Sequence, residues 1–351
     1  MIALQWQGQV LSLLDQTKYP DQEVWIDCTT AEEVAKVLSS GAVADEKLAA
    51  TAAAYGYCLA ALAHQDQQQT PAFDQALAQA KELLLASRPG SRDLARAFHF
   101  MENPPESYTK NVDKLTTLLA TAVTFDRQQV VADRNICRNG TDIMGQGTRV
   151  MIRTDKGVFH GASPAGVYGI VRRGYKRKVI EQIVLCEGRP SLEAGNRIAR
   201  ELTDKEDVPV IVIPDHAAAT CLARQGAHVV LTDGILAAKN GDLKAPVGAY
   251  ELAIACYFHS IPFYAVMSAE DIDLDLVSGD AFGRDEMAPA EAAQGLSCGS
   301  AEGWCPAYDV IPAFLITGYL TDRGIASAPY EETLDELVKH APKKLILNFD
   351  A

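Results

Sequence analysis

Four apolar, β-branched runs constrain the fold more than any other feature: VIEQIVLC (179–186), VPVIVIP (208–214), AHVVLTD (227–233) and IPFYAVM (261–267). Between them lie SLEAGNRIARELT, HAAATCLARQG and VGAYELAIACYFHS, whose apolar residues recur at helical spacing. Near-continuous apolar runs belong to strands buried on both faces. Strand–helix–strand repetition therefore predicts a parallel sheet covered by helices on both sides. Such sheets bind ligands beyond the carboxyl ends of their strands. That singles out Glu187–Arg189, Asp215 and Asp233, which end or follow the runs.

The first part of the chain differs. Residues 2–28 alternate loosely and fit short antiparallel strands. From Thr30 to about Phe100 the pattern is Ala-rich and helical, in AEEVAKVL, DEKLAATAAAYGYCLAALA and PAFDQALAQAKELLLA. VDKLTTLLATAVTF (112–125) predicts one more helix. The expected fold class is thus α/β. A small, mostly helical N-terminal domain with short antiparallel strands covers 1–127, and a parallel-sheet domain covers 128–351.

Composition narrows the function classes. A formal charge of −14 argues against nucleic acid or an anionic membrane as the main partner. No apolar run approaches the ~18–20 residues of a membrane helix. The opening MIALQWQGQVLSLLDQ lacks a positive flank and does not read as a secretory leader. The eight cysteines are scattered with no C-x-x-C pair, so reduced cytoplasmic thiols are expected rather than a disulfide framework. Cys298 and Cys305 have no histidine near them in sequence, and no metal site is expected. G-x-G-x-x-G is absent, and no cofactor is expected.

The stretch GVFHGASPAGVYG (157–169) poses the sharpest chemical question. G-A-S-P-A departs from the hydrolase elbow G-x-S-x-G at its last position, and no oxyanion segment accompanies it. Serine is a favoured N-cap and proline a favoured first helical residue. Ser163–Pro164 is therefore expected to open the helix AGVYGIVRRGYK. A helix start at a strand end also leaves N–H groups that suit a phosphate. His160, on a strand, would point to the opposite face from Ser163. The run Arg172, Arg173, Lys176, Arg177, Lys178 reads as a solvated helix end.

Several stretches recur in a fixed order: LDQTKYP (14–20), GRP (188–190), LTDGI (231–235), NGD (240–242), IPFY (261–264) and PAYDVIP (306–312). In these the chain resembles the methylthioribose-1-phosphate isomerase family, which includes ribose-1,5-bisphosphate isomerases and regulatory subunits of the eukaryotic initiation-factor exchange complex. The likeness runs from about residue 3 to about residue 335. It implies a Rossmann-like C-terminal domain, a homodimer and a phosphorylated sugar as small-molecule partner. The implied activity is aldose–ketose isomerisation, an intramolecular oxidoreduction, with a non-catalytic sugar-phosphate or nucleotide binder as the alternative.

The family uses a cysteine in a His-Cys-Asn-Ala-Gly-like stretch and an aspartate further on. Matched by position, the cysteine falls on Ser163 and the aspartate on Asp233. The family's Arg-Pro is retained as Arg88–Pro89. Its Arg-Gly-Ala reads Ser40–Gly41–Ala42, its Asn-Lys reads Ala245–Pro246, and its Glu-Thr-Arg-Pro reads Glu187–Gly188–Arg189–Pro190. A thiol with a pKa near 8.5 shuttles protons far better than a serine hydroxyl, so the site is altered. Asp233 and Ser163 are the expected catalytic residues. Arg88, Arg189, Gly161, Gly166, Asn240 and Asp242 are the expected substrate contacts. The hydroxyl at 163, the carboxylate at 233 and the guanidinium at 88 are expected to face one hollow. Structural alternatives stand beside these roles: a helix N-cap before GILAAKN for Asp233, an ion pair for Arg88, pairing with Glu187 or Asp215 for Arg189, and a turn cap for Asp242.

Overall fold

The computed structural model describes residues 1–105, 108, 112–155, 158–159, 161, 163–192, 194–296 and 299–339. His160, Ala162 and Cys298, named above, lie outside the described residues. The chain divides into two compact units. One comprises Met1–Val131 with Phe159–Ser163, the other Ala132–Val158 with Pro164–Pro342.

The first unit opens with an antiparallel sheet in sequential order, β1 (Leu4–Trp6), β2 (Leu11–Leu14) and β3 (Trp25–Cys28). Four helices follow: α1 (Ala31–Ser39), α2 (Glu46–Ala63), α3 (Pro71–Ala86) and α4 (Arg92–Glu102). Their starts are written in the sequence. Thr30 and Glu33 form a reciprocal capping box on α1, Asp45 caps α2, Pro71 begins α3, and Ser91 caps α4. Each side-chain cap satisfies a backbone N–H that the helix itself leaves open, typically worth ~1 kcal/mol. α2 buries residues on nearly every side, as its alanine-rich composition allows. The helix expected over 112–125 is α5 (Lys114–Asp142) and runs well past the expected end.

In the second unit a seven-stranded sheet forms from β4 (Thr148–Arg153), β5 (Ile180–Cys186), β6 (Val210–Ile213), β7 (Val229–Asp233), β10 (Phe263–Val266), β13 (Gly318–Thr321) and β14 (Gly324–Ala326). Its order is β14-β13-β10-β7-β4-β5-β6. Every pairing is parallel except the edge pair β13–β14. A smaller four-stranded sheet holds β8 (Leu236–Ala238), β9 (Leu243–Ala245), β11 (Ile272–Asp273) and β12 (Asp309–Ile311). The fold is thus mixed α/β, a small antiparallel sheet in one unit and a larger, mostly parallel sheet in the other.

The helices of this unit are α6 (Gly166–Lys176), α7 (Ala218–Ala223), α8 (Ala249–His259), a single turn α9 (Pro289–Ala292) and α10 (Tyr330–Lys339). SLEAGNRIARELT, expected as an α-helix, instead makes π-helical turns at Ala194–Ile198 and Glu201–Lys205. The last turns of α5 lie against α6. A Cβ at Gly140 would overlap Ile170, and one at Gly169 would overlap Cys137. Glycine is what lets these two helices approach so closely. The basic end of α6 is tied to acidic neighbours: Arg172 and Lys176 both reach Glu206 at 2.5 Å.

Two corrections concern how the expected site residues start elements. Helix α6 begins at Gly166 with Ala165 as its cap and no side-chain cap bond, so Ser163–Pro164 do not open it. Gly166 stands at φ +54, a left-handed turn that defers the helix to that residue. GILAAKN contains strand β8 and no helix, so Asp233 caps nothing. No helix among the described residues is long and apolar enough to cross a membrane.

Candidate active site

Strand β4 comes first along the chain and sits inside the large sheet. β5 and β6 are added on one side of it, and β7, β10 and β13 on the other. The winding direction therefore reverses between β4 and β7. Main chains diverge beyond such a reversal and leave a crevice at the strand ends. Asp233 is the last residue of β7, and Arg153 is the last of β4.

The Asp233 carboxylate is buried, 3% exposed. Its Oδ2 accepts the Thr154 hydroxyl at 2.6 Å and the Asp155 N–H at 3.1 Å. Thr154 is fully buried. A Cβ at Gly166 would stand 3.6 Å from Asp233 Oδ1, so the start of α6 passes directly beside the other carboxylate oxygen. Arg153 is buried as well, 2% exposed. Its Nε donates to the Val247 carbonyl at 3.0 Å and its Nη1 to Asp155 Oδ1 at 2.6 Å. Burial alone would lower the Arg153 pKa. The carboxylates of Asp155, Asp215 and Asp233 outweigh that and raise it.

Among the described residues of this unit, burial raises the pKa of every cysteine thiol, Cys221 and Cys305 included. Burial pushes Cys137, Cys186 and Cys256 up to about 12, so all three are protonated near neutrality. Among the described residues, no group of three or more His, Cys, Asp or Glu is arranged to hold a metal ion.

The other expected contacts are committed to protein partners. Asp215 clasps the loop after β5 through the N–H groups of Gly188 (3.0 Å) and Arg189 (2.7 Å). The Arg189 side chain lies 3.6 Å from Glu187 and donates to the Gln294 carbonyl at 3.2 Å. Asn240 and Asp242 lock each other, Nδ2 to Oδ2 at 2.8 Å and Asp242 N–H to Asn240 Oδ1 at 3.0 Å. Asp242 also accepts the N–H groups of Gly279 and Ala313, each at 2.9 Å.

Arg88, Gly161 and Ser163 belong to the first unit, while Gly166, Arg189, Asp233, Asn240 and Asp242 belong to the second. Arg88 pairs with Glu46 and donates to the Val43 carbonyl. Ser91 also holds Glu46, at 2.6 Å. Ser163 is 6% exposed. A Cβ at Gly161 would lie 3.5 Å from Asp126 Oδ1, and Asp126 accepts the Tyr55 hydroxyl at 2.9 Å. Burial raises the Asp126 carboxyl above its usual range.

Sequence reasoning missed Arg153, Thr154 and Asp155, because TRVMIR (148–153) was not recognised as a strand. One signal was available: Arg153-Thr154-Asp155-Lys156-Gly157 ends in glycine, like His-Cys-Asn-Ala-Gly, with threonine where the cysteine stands.

Residues 43–328 match the Initiation factor 2 subunit family. The chain belongs to that family. A methylthioribose-1-phosphate isomerase of Pelotomaculum thermopropionicum is 31% identical over 99% of this chain and 97% of its own. One from Synechococcus sp. is 32% identical over 95% of this chain and 97% of its own. Among solved structures, 5-methylthioribose 1-phosphate isomerase from Pyrococcus horikoshii superposes with a TM-score of 0.88 at 23% identity, covering 97% of this chain and 96% of that one. The delta subunit of translation initiation factor eIF-2B from A. fulgidus superposes with a TM-score of 0.81 at 21% identity, covering 96% and 99%. The fold described above is theirs.

Proposed function

We propose that the protein is an aldose–ketose isomerase of a phosphorylated pentose, methylthioribose 1-phosphate or a close analogue, with Asp233 as its proton-transfer group. The observation that carries this reading is the 2.6 Å hydrogen bond from Thr154 to Asp233 at the reversal of the sheet. The Rossmann-like strand order supports a ligand there. The names of relatives that align over nearly the full chain supply the substrate class.

The chemistry asks for little more than one well-held carboxylate. Converting an aldose 1-phosphate to a ketose 1-phosphate breaks the bond between C1 and the ring oxygen. Hydrogen moves from C2 to C1, the C2 hydroxyl loses a proton, and the ring oxygen gains one. A carboxylate that takes one proton and returns one balances both transfers. Thr154 and the Asp155 N–H both donate to Oδ2 and so fix the carboxylate's orientation. In this reading Thr154, rather than Ser163, occupies the place of the family's cysteine. It orients Asp233 but is too weak an acid to shuttle protons itself.

The second reading, a non-catalytic sugar-phosphate or nucleotide binder, is favoured by the raised pKa of the cysteine thiols among the described residues and by the pairing of Arg88, Arg153 and Arg189 with carboxylates. Purified protein incubated with methylthioribose 1-phosphate separates the two. Ketose formed in proportion to enzyme supports the isomerase. No turnover with ligand-dependent thermal stabilisation supports the binder.

A homodimer completes the reading. Helix α8 is apolar almost all round, as a helix inside a core would be. Yet it exposes Tyr257 (65%) and Phe258 (81%) beside Phe314 (71%). Sedimentation at micromolar concentration is expected to give twice 37.9 kDa, reverting to one chain in Phe258→Asp. A wild-type monomer would refute the dimer.

A further inference from the structure

Arg153 has no counterpart among the residues expected from sequence, and its surroundings give it a task. It is 2% exposed, ends the central strand β4, and is held at both ends. Nε is fixed on the Val247 carbonyl at the approach to α8, and Nη1 is fixed on Asp155. Asp155 in turn donates its N–H to Asp233 Oδ2. The pair is also confined from the side. A Cβ at Gly188 would come within 3.0 Å of Asp155 Oδ1 and 3.3 Å of Arg153 Nη1, and Gly188 holds φ +79. Only glycine leaves room for this ion pair in this conformation.

From this geometry we infer that Arg153 is a positioning residue for Asp233: its buried guanidinium pins the turn that presents Thr154 and the Asp155 N–H to the carboxylate. It also supplies the positive charge that compensates the carboxylate's burial. The inference rests on the assignment of Asp233 above.

Among the described residues, the charged groups around this pair are Asp155 beyond β4, Asp215 beyond β6, Asp233 itself, Asp309 on β12 and Glu251 on α8. Arg153 is the cation among them. Removing it and removing its partner Asp155 therefore perturb Asp233 in opposite directions. A positive neighbour stabilises the ionised carboxylate, and a negative neighbour destabilises it.

The test is a carbon-13 titration of aspartate carboxyls, with the Asp233 signal assigned by its loss in Asp233→Asn. Arg153→Met is expected to raise the Asp233 midpoint by about one pH unit, and Asp155→Asn to lower it. Arg153→Lys keeps the charge but not the two fixed contacts. It is expected to leave the midpoint in place while lowering kcat several-fold at nearly unchanged KM. If Arg153→Met does not fold, Asp155→Asn carries the test. An Asp233 midpoint that stays put in Asp155→Asn, or moves the same way in both variants, overturns the proposal. The titration needs no substrate. Opposite shifts in a protein without turnover would sink the isomerase reading and leave the role of Arg153 standing.

Discussion

Asp233→Asn is expected to lower turnover of methylthioribose 1-phosphate by at least ~100-fold, the scale of a lost general acid–base group. The substitution is nearly isosteric, so the effect separates chemistry from packing. The amide oxygen still accepts from Thr154 and from the Asp155 N–H, in the places the structure gives these donors. What disappears is the capacity to take and return a proton. KM is expected to change far less than kcat, because the loss falls on the transition state. Initial rates across substrate concentrations, read by proton NMR of the ketose, check both. Activity within a few-fold of wild type would remove Asp233 from the mechanism.

Asp242→Ala is expected to destabilise the second unit by about 3 kcal/mol, since each hydrogen bond to a charged group is worth about 1.5–3 kcal/mol and its loss strands a donor. Asp242 gathers the N–H groups of Gly279 and Ala313 and the amide of Asn240. The turn between Asn240 and Asp242 is fastened from another side too. Tyr319 donates to the Gly241 carbonyl at 2.7 Å, and the Tyr330 ring leaves no space for a Cβ at Gly241. A loss of that size lowers the thermal midpoint by roughly 6–12 °C in a unit of this size. A ligand contact would behave differently, with apo stability unchanged and KM raised. Thermal unfolding without ligand therefore tells the two roles apart. A midpoint within 1–2 °C of wild type, on that same scale, would return Asp242 to the substrate.

The sequence was most legible where one physical signal acted alone. β5, β7 and β10 are apolar runs bounded by polar residues, as suits parallel strands inside a sheet, whereas β6 is the edge strand and leaves Ile211 and Val212 exposed, against the double-sided burial its apolar run implies. Asp233 is the polar residue that ends one such run, and it is the last residue of β7. β4 escaped because Arg149 and Arg153 interrupt TRVMIR, and a strand with a charge at each end does not look like a core. The arginine that hid the strand pairs with Asp155. Thr154 follows that strand directly, so its place beside Asp233 is not legible without β4. Helix α5 was cut short for a similar reason. Asp126, Arg127, Gln128 and Gln129 break the apolar pattern, yet the helix continues through them to Asp142. The roles of Asn240 and Asp242 depend on which backbone groups a distant segment brings to them, namely Gly279 and Ala313, and no local pattern records that.

In the proposed reaction the Thr154 hydroxyl, just after β4, holds the carboxylate that transfers the proton at the end of β7. Initial rates of Thr154→Val and Ser163→Ala, measured side by side on methylthioribose 1-phosphate, test it most directly. Thr154→Val is expected to lose ~10- to 100-fold, the worth of one hydrogen bond to a buried carboxylate, and Ser163→Ala to keep near-wild-type rates. An unimpaired Thr154→Val, or a collapse of activity in Ser163→Ala alone, would contradict it.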